Sequence, residues 1–358
     1  MKSRYKILAI NPGSTSTKIA VYHGENSLFI ESLTHSANEI SKFPRISDQY
    51  EFRKELIIKT VFKHGIALEE IDAIVSRGGN MKPVEGGTYE INQAMVEDLR
   101  IGVMGQHASN LGGIIAYSIS KEVGKPSYVV DPVVVDEFEE YARISGIPEI
   151  ERRPKDHPLN QKAAARLAAK DLDGDYGNMD FIVAHLGGGA SIGAHKKGKI
   201  IDVNNVLDGD GPFSPERSGG LPVGSLVDMC FSGDYTKEEV KKKITGGGGL
   251  VAYLGTNDGR EVKKRIQDGD EYAKLIYETM AYQISKEIGA AATILKGDID
   301  AIVLTGGLAH DEDFVAWIKE RVGFIAPVKI YPGENEMIAL VQGVLRILSG
   351  EEKVKIYS

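Results

Sequence analysis

Cysteine and tryptophan are almost absent from this sequence, with one of each in 358 residues. A single cysteine cannot form an internal disulfide, which excludes a disulfide-stapled secreted scaffold. Cys230 stands in the apolar run 226–231, a setting that predicts a buried, unreactive side chain. No apolar run approaches the length of a membrane-spanning helix. Together these features predict a cytoplasmic protein with no membrane partner.

An excess of positive charge is also missing. Lys and Arg total 43 against 51 Asp and Glu, so the formal net charge is −8. A general nucleic-acid binder needs a basic face to neutralise phosphates, and this balance argues against one. A nucleotide needs only a local site and stays compatible with the composition. The expected partners are therefore small molecules.

Glycine, by contrast, is abundant. The chain has 41 glycines, while its hydrophobic share of 42% and charged share of 26% are those of an ordinary globular protein. A chain of 358 residues is expected to form two domains. The glycines cluster beside predicted element ends at 77–79, 187–189, 246–249 and 306–307. At such points the backbone can approach a ligand closely.

The first candidate site is a strand, turn and strand over residues 7–22. Gly13 allows close approach of the backbone, Asn11, Ser14 and Ser16 add polar groups, and Lys18 adds a positive charge. Such a turn can cradle phosphate oxygens. Taken alone, it is better explained as a plain hairpin turn, since such turns favour small polar residues.

A second copy of this plan lies at residues 182–195, with Gly187, Gly188 and Gly189 in the turn. Each copy is followed by a third predicted strand, at 27–33 and at 199–203. Repetition at this scale predicts two duplicated α/β domains, each offering a phosphate-binding hairpin to one cleft. We assign residues 1–155 with a returning helix at 340–358 to the first domain. Residues 156–339 form the second, nucleotide-binding domain.

Further candidates stand where predicted strands end, the position at which ligand contacts tend to lie in α/β sheets. Arg77 follows a strand at 71–76, Asp131 a strand at 128–130, and Gly306 with Gly307 a strand at 299–304. On its own, Asp131 before a proline is best explained as a plain turn. The predicted helices cover residues 50–64, 93–100, 107–122, 162–172, 237–243, 260–267, 271–295 and 334–348.

The segments Asn-x-Gly-Ser-Thr-Ser-x-Lys at 11–18 and His-x-Gly-x-Gly-x-Ser at 185–191 resemble the two signature segments of the acetate and butyrate kinases. Four more runs resemble the butyrate branch of that family, at 83–89, 105–112, 130–137 and 211–219. The resemblance covers essentially the whole chain. It implies the actin, Hsp70 and sugar kinase superfold, in which two ribonuclease-H-like domains surround a nucleotide cleft.

The resemblance implies reversible, ATP-dependent phosphorylation of a short-chain carboxylate, giving an acyl phosphate and ADP. A carboxylate is already ionised at neutral pH and needs no general base. The difficulty is to align one anion with the γ-phosphate of another, which calls for a cationic, metal-assisted site. The implied cofactors are ATP or ADP and Mg²⁺.

Matched onto this sequence, the family pattern assigns three residues to the reacting groups and a histidine to the second hairpin. Arg77 would bind the carboxylate and later the phosphoryl group, with Arg217 as its partner from the other domain. Their planar guanidinium groups fit planar anions. His157 would donate to the phosphate oxygens, and His185 would line the second hairpin.

The same pattern assigns Mg²⁺ to Asn11, Asp131 and Glu336, which offer hard oxygen ligands, and places Asp131 in the catalytic set. Spacing favours Glu336 over Glu334, although either could face the metal. The expected nucleotide and phosphate contacts are Asn11, Ser14, Ser16, Lys18, His185, Gly187, Gly188, Gly189, Asp258, Arg260, Gly306 and Gly307.

Two departures bear on the acyl group. Asp156 stands where the family often has an aromatic residue, and the loop 208–222 is shorter before Arg217 than in acetate kinases. Small residues in that loop would leave room for a longer or branched acid, so a four-carbon substrate is expected.

Three alternatives stay open. An acetate or propionate kinase would share the two signature segments. A nucleotide switch of the actin or Hsp70 type would have no use for Arg77, His157 and Arg217. A sugar kinase would need an aspartate base, for which Asp131 is the candidate. The assembly is expected to be a homodimer or a higher homo-oligomer.

Overall fold

The computed structural model describes residues 4–358, which form two compact units. The first unit contains the chain up to Asp136 and again Asn335–Ser358, and the second contains Glu137–Glu334. Each unit has its own sheet and its own hydrophobic core.

The chain enters the second unit earlier than the predicted boundary at residue 155. Glu137 already accepts a hydrogen bond from the N–H of Ile200 at 2.8 Å, which ties this segment to the second sheet. The return to the first unit also comes before residue 340. The C-terminal helix begins at Glu336 and packs on the first sheet.

The strands in chain order are β1 (Lys6–Pro12), β2 (Ser16–His23), β3 (Asn26–Thr34), β4 (Ala73–Ser76), β5 (Thr88–Glu90), β6 (Ser127–Val130), β7 (Asp180–Leu186), β8 (Ala190–Lys196), β9 (Lys199–Val203), β10 (Ala301–Gly306), β11 (Val328–Pro332) and β12 (Lys355–Ile356).

The α-helices are α1 (Ala37–Ile40), α2 (Tyr50–Lys63), α3 (Gln93–Ile101), α4 (Asn110–Val123), α5 (Glu140–Arg143), α6 (Pro158–Asp171), α7 (Val223–Phe231), α8 (Lys237–Ile244), α9 (Leu250–Leu254), α10 (Gly259–Gln267), α11 (Glu271–Ile294), α12 (Glu312–Val322) and α13 (Glu336–Leu348). Short 3₁₀ turns lie at Ile46–Gln49, Leu68–Glu70, Tyr176–Asn178 and Gly307–His310.

The two sheets repeat one plan. The first has the order β12-β5-β6-β4-β1-β2-β3 and the second β11-β10-β7-β8-β9. In each sheet the first strand of the unit pairs antiparallel with the next strand of the chain and parallel with a later one, β1 with β4 and β7 with β10. This repetition confirms the predicted duplication of an α/β fold.

Both faces of the central strands are covered by helices. In the second unit, Ile182 and Ala184 of β7 pack with α11, while the alternate residues Phe181 and Val183 pack with α6. In the first unit β4 and β6 are buried at every residue, with α4 and α13 packed on the sheet. Continuous burial is typical of parallel strands enclosed on both faces, and it leaves the strand ends as the accessible positions.

Most predicted elements are confirmed with shifted ends, but the prediction for Cys230 is wrong. Its side chain is exposed, because it lies on α7, where no residue is buried. The apolar run 226–231 correctly predicted an apolar helix surface. Hydrophobicity alone does not determine whether another part of the chain packs on that surface. Within residues 4–358, no helix combines the length and hydrophobicity needed to cross a bilayer.

Candidate active site

The turn between β1 and β2 is held in place by a buried arginine that the sequence analysis missed. Arg53 of α2 is 1% exposed and donates to the carbonyl oxygens of Gly13, Ser14 and Ser16 at 2.7, 3.0 and 3.2 Å. The carbonyl oxygens on this side of the turn are therefore bound inside the unit. The turn cannot reverse without breaking these bonds.

The opposite side of the same turn offers donors. The oxygen of Thr15 accepts from the N–H of His35 at 2.8 Å. The N–H groups of Ser14 and Thr15 have no acceptor within residues 4–358. Lys18, paired with Asn11 across the strands, is exposed and has no ion-pair partner in this part of the chain. Free N–H groups beside a cation are a geometry that suits an anion, and the predicted phosphate contacts at this turn stay a prediction.

Arg53 also contributes charge to this turn. Its remaining contacts are neutral, with Gln49 Oε1 accepting from both Nε and Nη2 at 3.1 and 2.7 Å. No carboxylate of the described chain lies within ion-pair distance of Arg53. Burial lowers its pKa to about 10, which leaves it cationic at neutral pH. A buried cation that has no carboxylate partner lies on the carbonyl side of the turn, and its charge favours an anion on the side of the free N–H groups.

Glu336 brings two predicted residues of the first unit together. Its Oε1 lies 2.9 Å from Nη1 of Arg77, and its Oε2 accepts from Nδ2 of Asn11 at 2.7 Å. The Arg77 side chain is 28% exposed at the end of β4. The carboxylate therefore fixes the direction of Arg77 and leaves part of its guanidinium accessible.

Asp131 has a separate anchor within the first unit. It is 1% exposed, and its Oδ1 accepts from the N–H of Gly87 at 2.7 Å. Its own N–H donates to the oxygen of Gly87 at 3.0 Å. Asp131 has a φ of 38°, a strained conformation for a residue with a side chain, which is typical of functional positions.

In the second unit the two predicted histidines are stacked. His157 caps the N-terminus of α6 and His185 lies on β7, with ring centroids 3.9 Å apart and planes at 16°. Nδ1 of His185 donates to Oδ1 of Asn160 at 2.6 Å. Its Nε2 lies 3.3 Å from Oε1 of Glu334, an ion-pair distance without the alignment of a hydrogen bond. Glu334 thus stands beside His185, whereas Glu336 stands beside Arg77.

The turn between β7 and β8 repeats the logic of the first turn with different partners. The oxygen of Gly188 accepts from Oγ of Ser214 at 2.7 Å and from the N–H of Glu216 at 3.1 Å. The oxygen of Gly189 accepts from the N–H of Gly187 at 3.1 Å. The N–H groups of Gly188 and Gly189 have no acceptor in residues 4–358. This turn has the same arrangement of free N–H groups, a geometry that suits an anion.

Arg217 follows the loop that braces this turn. Its Nη1 contacts both the main-chain oxygen and Oε2 of Glu216 at 3.2 Å. Its Nε is buried and makes no hydrogen bond, and the side chain is 21% exposed. The guanidinium is thus oriented while part of its donor capacity is unused.

A cavity of about 820 Å³ in the second unit joins five predicted nucleotide contacts. These are Gly187, Gly188, Asp258, Arg260 and Gly307. Gly306, just before, has a φ of 91°, and a Cβ there would lie 2.5 Å from the oxygen of Leu186. Only glycine lets β10 end this close to β7, which brings Gly307 to the cavity wall.

The cavity also has walls that the sequence analysis did not identify. Tyr277 donates from its hydroxyl to Oδ2 of Asp311 at 3.3 Å, and Lys263 lies 2.8 Å from Oδ1 of the same residue. Burial raises the pKa of Tyr277, so it stays a neutral donor. At the rim, hydrogen bonds from Arg260 lower the pKa of Asp258 to about 2. A cavity lined by fixed polar groups suits a nucleoside.

A buried carboxyl group stands directly before His157. Burial raises the pKa of Asp156 to about 7, and its Oδ2 has no hydrogen-bond partner. Lys162 attracts it, but Lys162 is already paired with Glu137 at 2.8 Å, both side chains being 3% exposed. The residue before His157 is therefore a buried acid with an unsatisfied oxygen.

Comparison with known proteins is consistent with this arrangement. A model of the acetokinase family matches residues 152–325. The chain is 54% identical over 354 residues to butyrate kinase 2 of Clostridium acetobutylicum, a match that covers 99% of each chain. Its fold is similar to that of Porphyromonas gingivalis acetate kinase, with a TM-score of 0.79, 22% identity, and coverage of 96% of this chain and 100% of that one. A propionate kinase from Francisella tularensis gives a TM-score of 0.72 at 22% identity, covering 95% and 98%.

Replacing Asp156 with Asn should change how stability depends on pH. The folded-state pKa of Asp156 is raised to about 7 from 3.8. The contribution of its buried, neutral carboxyl group to the free energy of unfolding is therefore fully present below about pH 4 and is lost as the pH rises to about 7. The variant should therefore gain stability relative to the parent across that window, by about 4 kcal/mol at pH 8. Urea unfolding at pH 4, 6 and 8 measures this; a difference that does not vary with pH would contradict it.

Replacing Arg53 with Met should destabilise the first unit, because the part-buried carbonyl oxygens of Gly13 and Ser14 lose their donor. We expect a loss of at least about 3 kcal/mol in the free energy of unfolding. Arg45→Ala is the control, since Arg45 is an exposed residue whose pair with Asp48 is worth little. Thermal and urea unfolding of the two variants compare them. Equal stability would show that Arg53 does not hold the turn.

Proposed function

Because this chain belongs to the acetate and butyrate kinase family, we propose that it is a carboxylate kinase whose preferred acceptor is a four-carbon fatty acid, straight or branched. It moves the γ-phosphoryl group of ATP to the acid, giving an acyl phosphate and ADP, and the reaction is reversible. One carboxylate oxygen forms the new bond to phosphorus, while the bond between phosphorus and the β,γ-bridging oxygen breaks.

The observation that carries the proposal is the state of Arg77. Its guanidinium is held by Glu336 at the end of β4 and is 28% exposed. A planar cation with a fixed direction and an accessible face suits a carboxylate. A hydroxyl acceptor would need a base instead. Asp131, the candidate base of a sugar kinase, is 1% exposed and anchored to Gly87, which does not favour that role.

The groups that meet the transferring phosphoryl group are assigned by charge and donor capacity. Arg217 has an unused Nε donor, and His157 stands at the N-terminus of α6, where the helix dipole favours anions. We propose that both donate to the phosphoryl oxygens, whose charge must be stabilised in the transition state. A nucleotide switch would have no use for these donors.

The nucleotide is assigned to the cavity of the second unit. The N–H groups of Gly188 and Gly189 bind phosphate, and the walls formed by Tyr277, Lys263 and Asp258 hold the nucleoside. The N–H groups of Ser14 and Thr15, with Lys18, bind phosphate in the first unit. Because these main-chain donors are fixed by the two turns before the ligand arrives, their binding of phosphate costs little reorganisation.

The donor set of the first unit fits Mg²⁺, which prefers oxygen ligands and keeps several waters. Asn11, Asp131 and Glu336 would hold it. Both oxygens of Glu336 already have partners, Arg77 for Oε1 and Asn11 for Oε2, so a bound ion would share this carboxylate with them. When bound, the ion neutralises charge on the phosphates.

The test of the function is an acyl phosphate trap. ATP, Mg²⁺ and a series of acids from acetate to branched C4 and C5 acids are incubated with the protein, and hydroxylamine captures the product. We expect hydroxamate from the C4 acids with the highest kcat/KM. A higher kcat/KM for acetate would overturn the chain-length preference. ADP release with glucose and no hydroxamate from any acid would overturn the carboxylate kinase.

Arg77→Ala should lower kcat/KM for the acid by about a hundredfold or more, because it removes a charged donor to the reacting group. The KM for ATP should change little, since Arg77 is not assigned to the nucleotide. Arg45→Ala, an exposed arginine of the same unit, is the matched control. Steady-state kinetics with each substrate varied separates the two effects, and an equal rise in both KM values would contradict the assignment.

We also propose that the protein is a cytoplasmic homo-oligomer in which α7 contributes to the interface. Val223, Val227 and Phe231 of this helix are 72%, 48% and 86% exposed, an unusual apolar surface for a monomer. Phe231→Asp should therefore lower the mass measured by sedimentation. Phe324→Asp, whose side chain is 85% exposed elsewhere, is the control and should not. A monomeric parent protein would refute the interface.

A further inference from the structure

A line of buried polar side chains runs from His157 into the second unit. Nδ1 of His157 lies 2.9 Å from Oγ of Ser191, which lies 2.8 Å from Nε2 of Gln161. Oε1 of Gln161 lies 2.9 Å from Nε2 of His195, whose Nδ1 lies 2.9 Å from the hydroxyl of Tyr176. Ser191, Gln161 and His195 are 0% exposed. We call these five residues the buried chain.

A glycine in β8 leaves the space that the buried chain occupies. Ser191 and His195 lie on the same face of β8, with Gly193 between them. Gln161 of α6 lies over Gly193, where a Cβ would come within 2.4 Å of its Oε1. Only a glycine at 193 lets one amide bridge the two strand residues.

The amide of Gln161 sets the direction of every proton in the chain. An amide donates through nitrogen and accepts through oxygen, so Nε2 donates to Ser191 and Oε1 accepts from Nε2–H of His195. Nδ1 of His195 is then unprotonated and accepts from the hydroxyl of Tyr176. Burial, with Lys162 and Arg166 nearby, lowers the pKa of His195 well below its usual value, which agrees with a neutral ring.

Ser191 already accepts from Gln161, so its single proton is available for Nδ1 of His157. We infer that the buried chain holds His157 as a neutral imidazole with its proton on Nε2, and that Ser191 and Gln161 are positioning residues for it. The inference rests on the proposed role of His157 as a donor to the phosphoryl group. It specifies which nitrogen donates.

The groups facing His157 are compatible with a neutral ring. His185 of β7 is stacked on it, and two imidazolium rings at 3.9 Å would repel each other. Asp156 precedes it with a buried carboxyl, and Glu334 lies 3.3 Å from Nε2 of His185, the ring stacked on it. Adding a proton to Nδ1 of His157 would remove the acceptor of the Ser191 hydroxyl, and this hydrogen bond would be lost.

The direct test is the protonation of His157 by NMR in protein labelled with ¹⁵N-histidine, with the His157 signals assigned by their loss in His157→Asn. We expect an unprotonated Nδ1 and a protonated Nε2 from pH 6 to pH 9, in the absence of substrate. A proton on Nδ1 in this range would overturn the inference. This measurement needs no activity, so failure of the hydroxylamine trap would refute the proposed function and leave the tautomer to be decided separately.

Two variants test whether the chain imposes this state. Gln161→Glu places a carboxylate that only accepts, so Ser191 must donate to it and Nδ1–H of His157 is favoured. The His157 signals should then titrate at higher pH, and kcat should become pH-dependent between pH 6 and 8. Ser191→Ala removes the donor and should lower kcat by about tenfold, the scale of one buried hydrogen bond, with little change in KM.

Ser285→Ala is the matched control. Ser285 is also buried in the second unit, but its hydroxyl donates only to the oxygen of Ala281 within α11. It should leave kcat, its pH profile and the His157 signals unchanged. If Ser191→Ala and Gln161→Glu reduce stability and activity but leave the protonation and titration of His157 as in the parent, the chain is merely structural and the inference fails.

Discussion

A tight turn that offers its N–H groups to a ligand must bind its carbonyl oxygens elsewhere, and much of this molecule serves that constraint. In the first unit the donor is Arg53, and in the second it is Ser214 with the N–H of Glu216. Each buried carbonyl group without a hydrogen bond costs free energy. Without these donors, the carbonyl oxygens would compete for the N–H groups that the turn offers to a ligand. Each half of the duplicated fold therefore binds the carbonyl oxygens of its turn, but the side chains that do so are unrelated.

The sequence predicted the sheets and the turns well, because the information is local. The apolar runs beside Gly13 and Gly187 specify strand, turn and strand within a few residues, and Arg77 is placed by the end of its own strand. Repetition of the plan then implied the duplicated fold. The resemblance to a kinase family supplied roles for side chains that no local pattern could give.

The remainder depends on contacts between distant parts of the chain. Arg53 binds a turn 40 residues earlier, and Gln161 binds Ser191 30 residues later, with nothing in either neighbourhood to mark the pairing. Local hydrophobicity misplaced Cys230 for the same reason, since burial depends on which surfaces meet. The boundary between the units also lies earlier than residue 155. Glu137 accepts a hydrogen bond from Ile200 of β9, a contact that the local sequence does not reveal.

The first unit is built from two separate pieces of chain, with the second unit between them. During synthesis the second unit is complete once Glu334 has left the ribosome, whereas the first still lacks α13 and the strand β12 that pairs with β5. Glu336, which orients Arg77, is among the last residues made. A truncated chain can therefore bury much of its apolar surface without acquiring an oriented Arg77, and the order of translation itself delays assembly of the carboxylate site.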